Sequence, residues 1–152
     1  METKKKILIV EIISALYVLL FVYAAISKFV DFQKFKIELG KSPILSAYAG
    51  LIAITIPLIE IVLAILLVFR IKQYYVLYMS FSLMVIFTAY IVVILQFSPY
   101  IPCSCGGIIQ NMTWNQHLIF NITFLLMDIV AILLYPELNK ELTRDKKGSL
   151  HP

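Results

Sequence analysis

Four apolar runs, each long enough to cross a bilayer as a helix, constrain this chain more than any other feature. They fall at about residues 7–27, 47–69, 74–97 and 117–135, and about 20 apolar residues suffice to span a hydrocarbon core roughly 30 Å thick. Backbone amides find no water there, so each run is expected to be helical. Composition agrees: of 152 residues, 61% are hydrophobic and only 14% charged. A water-soluble domain of this length keeps too much of its surface in solvent to hide that much apolar side chain. The expected fold class is an all-α integral membrane protein, a four-transmembrane-helix bundle with a short amphipathic interfacial helix after helix 1. Residues 1–136 form the membrane domain, with Pro136 ending the fourth span, and 137–152 a mobile cytoplasmic tail.

The segments between the runs set the expected orientation. Met1 to Lys6 is a short basic leader. A signal peptide also starts this way, but the run that follows is longer than an ordinary signal core and carries Glu11, so it is read as a retained first span. Lys28 to Lys41 is amphipathic: Phe29, Phe32, Phe35 and Leu39 share one side, Asp31, Lys34, Glu38 and Lys41 the other, and Gly40 and Pro43 stop the helix. Such a helix either lies among lipid headgroups or packs over the mouth of the bundle. With four spans both termini share a side. That side carries Lys4, Lys5, Lys6, Arg70, Lys72, Lys140, Arg144, Lys146 and Lys147, nine of the thirteen basic residues. The positive-inside rule therefore places the termini in the cytoplasm and residues 98–116 outside, in the periplasm of a bacterium whose inner membrane holds the protein. The net charge of +4 is membrane-flanking charge and points to no nucleic-acid partner.

The outer segment holds both cysteines of the chain, Cys103 and Cys105, in Ile101-Pro102-Cys103-Ser104-Cys105-Gly106-Gly107. Thiols one residue apart can exchange disulfides with a partner, form a local bridge or sit inert, or supply two metal ligands. An i,i+2 bridge is a small, strained ring, and strain makes a disulfide more oxidising and labile. As a staple it would close almost no loop and stabilise little. Metal is the weakest reading, since structural zinc takes four ligands and only His117 lies nearby in the chain. Redox exchange is the expectation that best uses the pair, and the periplasm is where disulfides persist.

Inside the spans, a few polar residues stand out. His117, Asn121 and Asp128 follow one face of the fourth run, with Trp114 and Leu125 on the same side. A polar stripe in a span faces the bundle interior. His117 could trade protons with a thiol or a bound quinone, or with Asn121 simply hydrogen-bond between helices. Glu60 and Asp128 fall near mid-span, where a carboxylate must be paired, protonated or beside a cavity. Lys28 is a candidate partner for Glu60. Proton relay and a hydrogen-bonded support for the Pro57 kink are the two readings of Glu60. The two Asn-X-Thr sequons, at Asn111 and Asn121, are set aside as chance matches.

Two stretches resemble known families. Ser27-Lys28-Phe29-Val30-Asp31-Phe32, then Phe35, Leu39 and Ser42-Pro43, looks like the end of helix one in DoxX-like membrane proteins, and Pro57-Leu58-Ile59-Glu60 is similar to their second span. The cysteine segment followed by Trp114, His117 and Asn121 resembles the MauE branch, named for methylamine utilisation. That branch often has Cys-Gly-Cys-Phe-Gly where this chain has Cys-Ser-Cys-Gly-Gly, and His117 stands near a position where arginine is frequent. The resemblance implies a four-helix bundle with a periplasm-facing redox pair, Cys103 and Cys105. It also implies a role in disulfide formation or electron transfer for a maturing periplasmic protein, with Asn121 and Glu60 on the family's helix-four and helix-two polar positions.

The expected function is thus thiol–disulfide exchange, with Cys103, Cys105 and His117 as catalytic candidates. Trp114, Asn121, Glu60 and Asp128 are candidates for a quinone or proton site. The expected partners are the bilayer, a thioredoxin-like or maturing periplasmic protein, and a larger membrane complex or a second copy of the chain. The alternative is a non-catalytic scaffold that docks through Phe29, Phe32, Phe35 and the tyrosine-rich third span. A weaker third option is a small-solute or proton pathway built on Glu60 and Asp128.

Overall fold

The computed structural model describes residues 2–42, 45–97 and 113–148. These form α1 (Glu2–Val30), α2 (Phe32–Lys41), a 3-10 turn (Ser46–Tyr48), α3 (Ala49–Val68), α4 (Gln73–Phe97) and α5 (Trp114–Gly148), and no strand. Among the described residues, four helices are long and apolar enough to cross a membrane: 3–30, 46–68, 73–96 and 115–136. They close a ring in which α1 packs on α3 and α5, and α4 packs on α5 and α3. The start of α1, the turn after α3 and the far end of α5 therefore lie at one end of the bundle. At the other end lie α2, the end of α4 and the start of α5.

The core is the inward stripe of each helix. Ile13, Tyr17 and Phe21 of α1 meet Leu63, Ala64 and Leu67 of α3, Leu77, Leu83 and Met84 of α4, and Ala131 and Ile132 of α5. The opposite faces are apolar too. Leu19 and Leu133 are each 68% exposed and Leu51 67%, which in water would be an aggregation surface and in a bilayer is lipid contact. Hydroxyls on the spans bond back to the preceding turn, as in Ser82 to the Tyr78 carbonyl at 2.8 Å, Thr88 to Met84 at 2.7 Å, Thr123 to Ile119 at 2.9 Å, and Thr55 to Leu51. These hydroxyls need no lipid partner.

Two boundaries differ from the sequence reading. The Lys28–Lys41 segment is not one helix: the apolar Phe29-Val30 continues α1, the chain turns at Asp31, and Lys28 belongs to the span. α2 then lays Phe35 and Leu39 against Ala49 and Ala53 of α3, with Phe32 partly buried beside them and Phe29 exposed, so it caps the bundle. The second difference is at Pro136, which does not stop the last helix; α5 runs on to Gly148. Proline deprives only the Ile132 carbonyl of its donor, and a long helix with good helix formers after it absorbs that loss as a local distortion. Between α3 and α4 the chain reverses within four residues, which forces Arg70 and Lys72 to positive φ (53° and 45°). Arg70 there reaches back to Glu11 of α1 at 2.8 Å, an exposed pair across the helix ends.

Candidate functional site

At the α2 end, four polar side chains converge on one cavity. Lys28 sits within the last turn of α1, and its side chain leans back along the helix, as helical side chains do. Its Nζ donates to Glu60 Oε1 at 2.7 Å and weakly to the Ala24 carbonyl at 3.4 Å. Both members are buried, with side-chain exposures of 7% and 0%. The rings of Phe87 and Phe35 stand 5.7 and 5.9 Å from the ammonium, a cation–π setting that replaces part of its lost hydration. Glu60 comes from the middle of α3, one turn past Pro57, and its second oxygen, Oε2, has no donor among the described residues.

The other half of the site comes from α5. Its start is set by a reciprocal capping box: the Thr113 amide donates to Gln116 Oε1 at 2.9 Å and the Gln116 amide to Thr113 Oγ1 at 3.4 Å. The His117 amide then bonds to the Thr113 carbonyl at 3.0 Å, so the first helical turn is locked just before His117. His117, half-buried, and Asn121, one turn on and buried, line the cavity with Lys28 and Glu60; His117 lies within range of the Lys28 charge. Phe87, Tyr90 and Phe120 supply aromatic wall. The volume is about 70 Å³. One water needs roughly 10–15 Å³ measured this way, so the cavity holds several waters or the tip of a ligand.

The sequence candidates thus separate. Glu60, His117 and Asn121 come together, with Lys28 as the ion-pair partner. Asp128 does not join them: it lies two turns further along α5, fully buried and against Tyr17, so the two mid-span carboxyls do not meet. Cys103, Cys105 and the sequon at Asn111 lie outside the described residues, as does the side chain of Trp114. The chain that carries the cysteines leaves α4 and enters α5 at the cavity end.

The model of the family described as methylamine utilisation protein MauE matches residues 6–135. The chain belongs to the MauE family. Neither a curated protein nor a solved structure matches it. The match takes in the four apolar helices almost entirely, and by those helices this MauE-family chain is a multi-pass membrane protein.

Three contacts of this MauE-family bundle were not anticipated from the sequence. Tyr17 donates to the Phe124 carbonyl at 2.9 Å, Gln73 donates to Ser14 Oγ at 3.0 Å, and the capping box fixes α5. Two of the signals are nonetheless present in it. Thr113-Trp114-Asn115-Gln116 has the capping-box spacing, and Glu11, Ser14, Tyr17, Phe21 and Lys28 recur at helical spacing on one face of α1.

Proposed function

We propose that this MauE-family protein is a membrane thiol–disulfide redox protein, with Cys103 and Cys105 as the exchanging pair and the outer side of the membrane as its place of work. What supports the reading most is the polar cluster of the buried Lys28–Glu60 ion pair, buried Asn121 and half-buried His117, at the end of the bundle from which the cysteine-bearing chain departs. A buried ion pair is costly to keep, and a bundle that needed only stability would do as well with apolar side chains. An imidazole at that end is a group able to give a proton to the thiolate freed when a disulfide is opened, and to take one back when the pair is reoxidised.

In the exchange, the oxidised pair is attacked by a thiolate of the periplasmic partner. The Cys103–Cys105 bond breaks, a mixed disulfide forms, and the freed thiolate takes a proton. The partner's second thiolate then displaces the remaining cysteine. The partner leaves with a new disulfide, and Cys103 and Cys105 hold two electrons and two protons. Ring strain in an i,i+2 bridge favours this direction. The pair must be reoxidised, and a membrane quinone is the class of acceptor that supplies two-electron oxidation in a bilayer. The aromatic walls of the cavity, with Asn121 among its lining, are the kind of surface that takes a quinone headgroup. A partner of thioredoxin-like fold would meet the requirement for two thiols in reach of one another.

Alkylation trapping in intact membranes tests the proposal, with Cys103→Ser and Cys105→Ser made singly. The wild-type pair is expected to show both oxidised and reduced forms by mass shift, and one serine variant to hold a periplasmic protein as a mixed disulfide. Thiols that stay reduced in every sample and capture nothing would overturn it and leave a scaffold role.

A further inference from the structure

The thiol reading leaves Asp128 unused. Its residue exposure is 0%, and neither carboxyl oxygen has a hydrogen-bond partner among the described residues. The Tyr17 hydroxyl lies against it, but gives its proton to the Phe124 carbonyl at 2.9 Å. Ser80 of α4 is equally buried, with an unpartnered hydroxyl. Tyr74 stacks on Tyr135 at 5.7 Å, and counting along antiparallel α4 and α5 from that stack brings Ser80 to within a residue of Asp128's level. At this level the buried interior holds two carboxyl oxygens and the Ser80 hydroxyl without partners, and a Tyr17 hydroxyl whose proton is already given elsewhere. Such a shortfall is met by a proton on the acid and by internal water.

The same face of α1 leads to this point from one end only. Glu11, Ser14, Arg70 and Gln73 line a crevice of about 250 Å³ at the N-terminal end of the bundle, which extends as far as Val18 of α1. Ser14 and Gln73 bond to each other across the interior at 3.0 Å, one turn before Tyr17. Beyond Tyr17 the stripe becomes apolar. The ring of Phe21, 1% exposed and 5.5 Å from that of Tyr17, comes next on this face and forms part of the wall of the Lys28–Glu60 cavity.

We propose that Asp128 is a proton-binding site at the centre of the bundle, filled from the N-terminal end of the bundle along Ser14, Gln73 and Tyr17. The Ser14 and Tyr17 hydroxyls each donate and accept, so a proton moves by hopping through them with internal water bridging one to the other: Tyr17 turns its hydroxyl from the Phe124 carbonyl to Asp128 as it receives a proton, while Gln73, donating to Ser14 Oγ, holds that hydroxyl in line. Phe21 ends the path, so Asp128 equilibrates with one side of the membrane. The proposal stands independently of the thiol chemistry.

Infrared spectroscopy of the full chain in lipid nanodiscs tests it. The chain has three aspartates, Asp31, Asp128 and Asp145, of which Asp128 alone lies in a span. With aspartate carrying ¹³C in its carboxyl group, a label-shifted carbonyl band of a protonated acid at neutral pH is expected, and it should vanish in Asp128→Asn. On transfer to D₂O this band should shift in wild type. In Gln73→Leu, checked for retained helicity by circular dichroism, the shift should slow by about tenfold, the effect of one lost hydrogen bond on a barrier. Two results would overturn the proposal. One is a labelled wild-type spectrum with only ionised aspartate, which needs no variant to interpret; the other is an equal exchange rate in Gln73→Leu.

Discussion

Lys28 and Glu60 each belong in water, and each is held out of it by the other. Removing one member leaves a buried charge with no partner, a loss of about 3–5 kcal/mol, whereas replacing both by apolar residues of similar size is often neutral. Lys28→Met and Glu60→Leu should therefore each destabilise strongly, and the double variant should recover most of the loss, with unfolding in detergent micelles as the readout. A double variant no better than the singles would show that each residue has other essential contacts. This pair was legible in the sequence: a mid-span acid demands a partner, and the basic residue closing the first span was the nearest candidate. Asp128 demanded one just as plainly, yet its neighbours were not legible. Tyr17 is brought to it, and Ser80 to its level, by helix rotation and register, which hydropathy does not encode.

At the scale of elements, α2 hangs on a small contact. Phe35 and Leu39 rest on Ala49 and Ala53, and the small alanines let the helix sit close. Phe35→Ala and Leu39→Ala should each cost about 2–5 kcal/mol of docking. Amides 32–41 should lose protection from hydrogen exchange while those of α1 and α3 keep theirs; protection lost in all three would mean that α2 is part of the bundle's cooperative unit. The amphipathic pattern revealed that this helix exists but not what covers it, because headgroups and a neighbouring helix bury the same face. Pro136 misled for a related reason. It is a strong local signal, but one missing hydrogen bond is small beside the many that a 35-residue helix keeps. Where the four long apolar helices fall along the chain was, by contrast, legible, since a bilayer leaves hydrophobic length little freedom.

For the whole molecule, orientation decides whether the thiol chemistry has a setting at all. Nine of the thirteen basic residues flank the end that holds both termini and the turn after α3. The four at the other end are Lys28, neutralised by Glu60, and Lys34, Lys36 and Lys41, of which the last lies 3.3 Å from Glu38. Translocating the nine would oppose the membrane potential, so the termini should stay in the cytoplasm. A green fluorescent protein fused to the C-terminus should therefore fluoresce, and an alkaline phosphatase fused there should be inactive. Arg70→Ala with Lys72→Ala should leave this unchanged, because the charges at Lys4–Lys6 and Lys140–Lys147 act on the same side. An active phosphatase would invert the molecule. It would place Cys103 and Cys105 in a reducing compartment, where an i,i+2 disulfide does not persist, and would turn the Ser14–Gln73 crevice toward the outside. The same fusion thus bears on both proposals: a cytoplasmic C-terminus makes the outer end the site of disulfide exchange and the inner end the source of Asp128's proton.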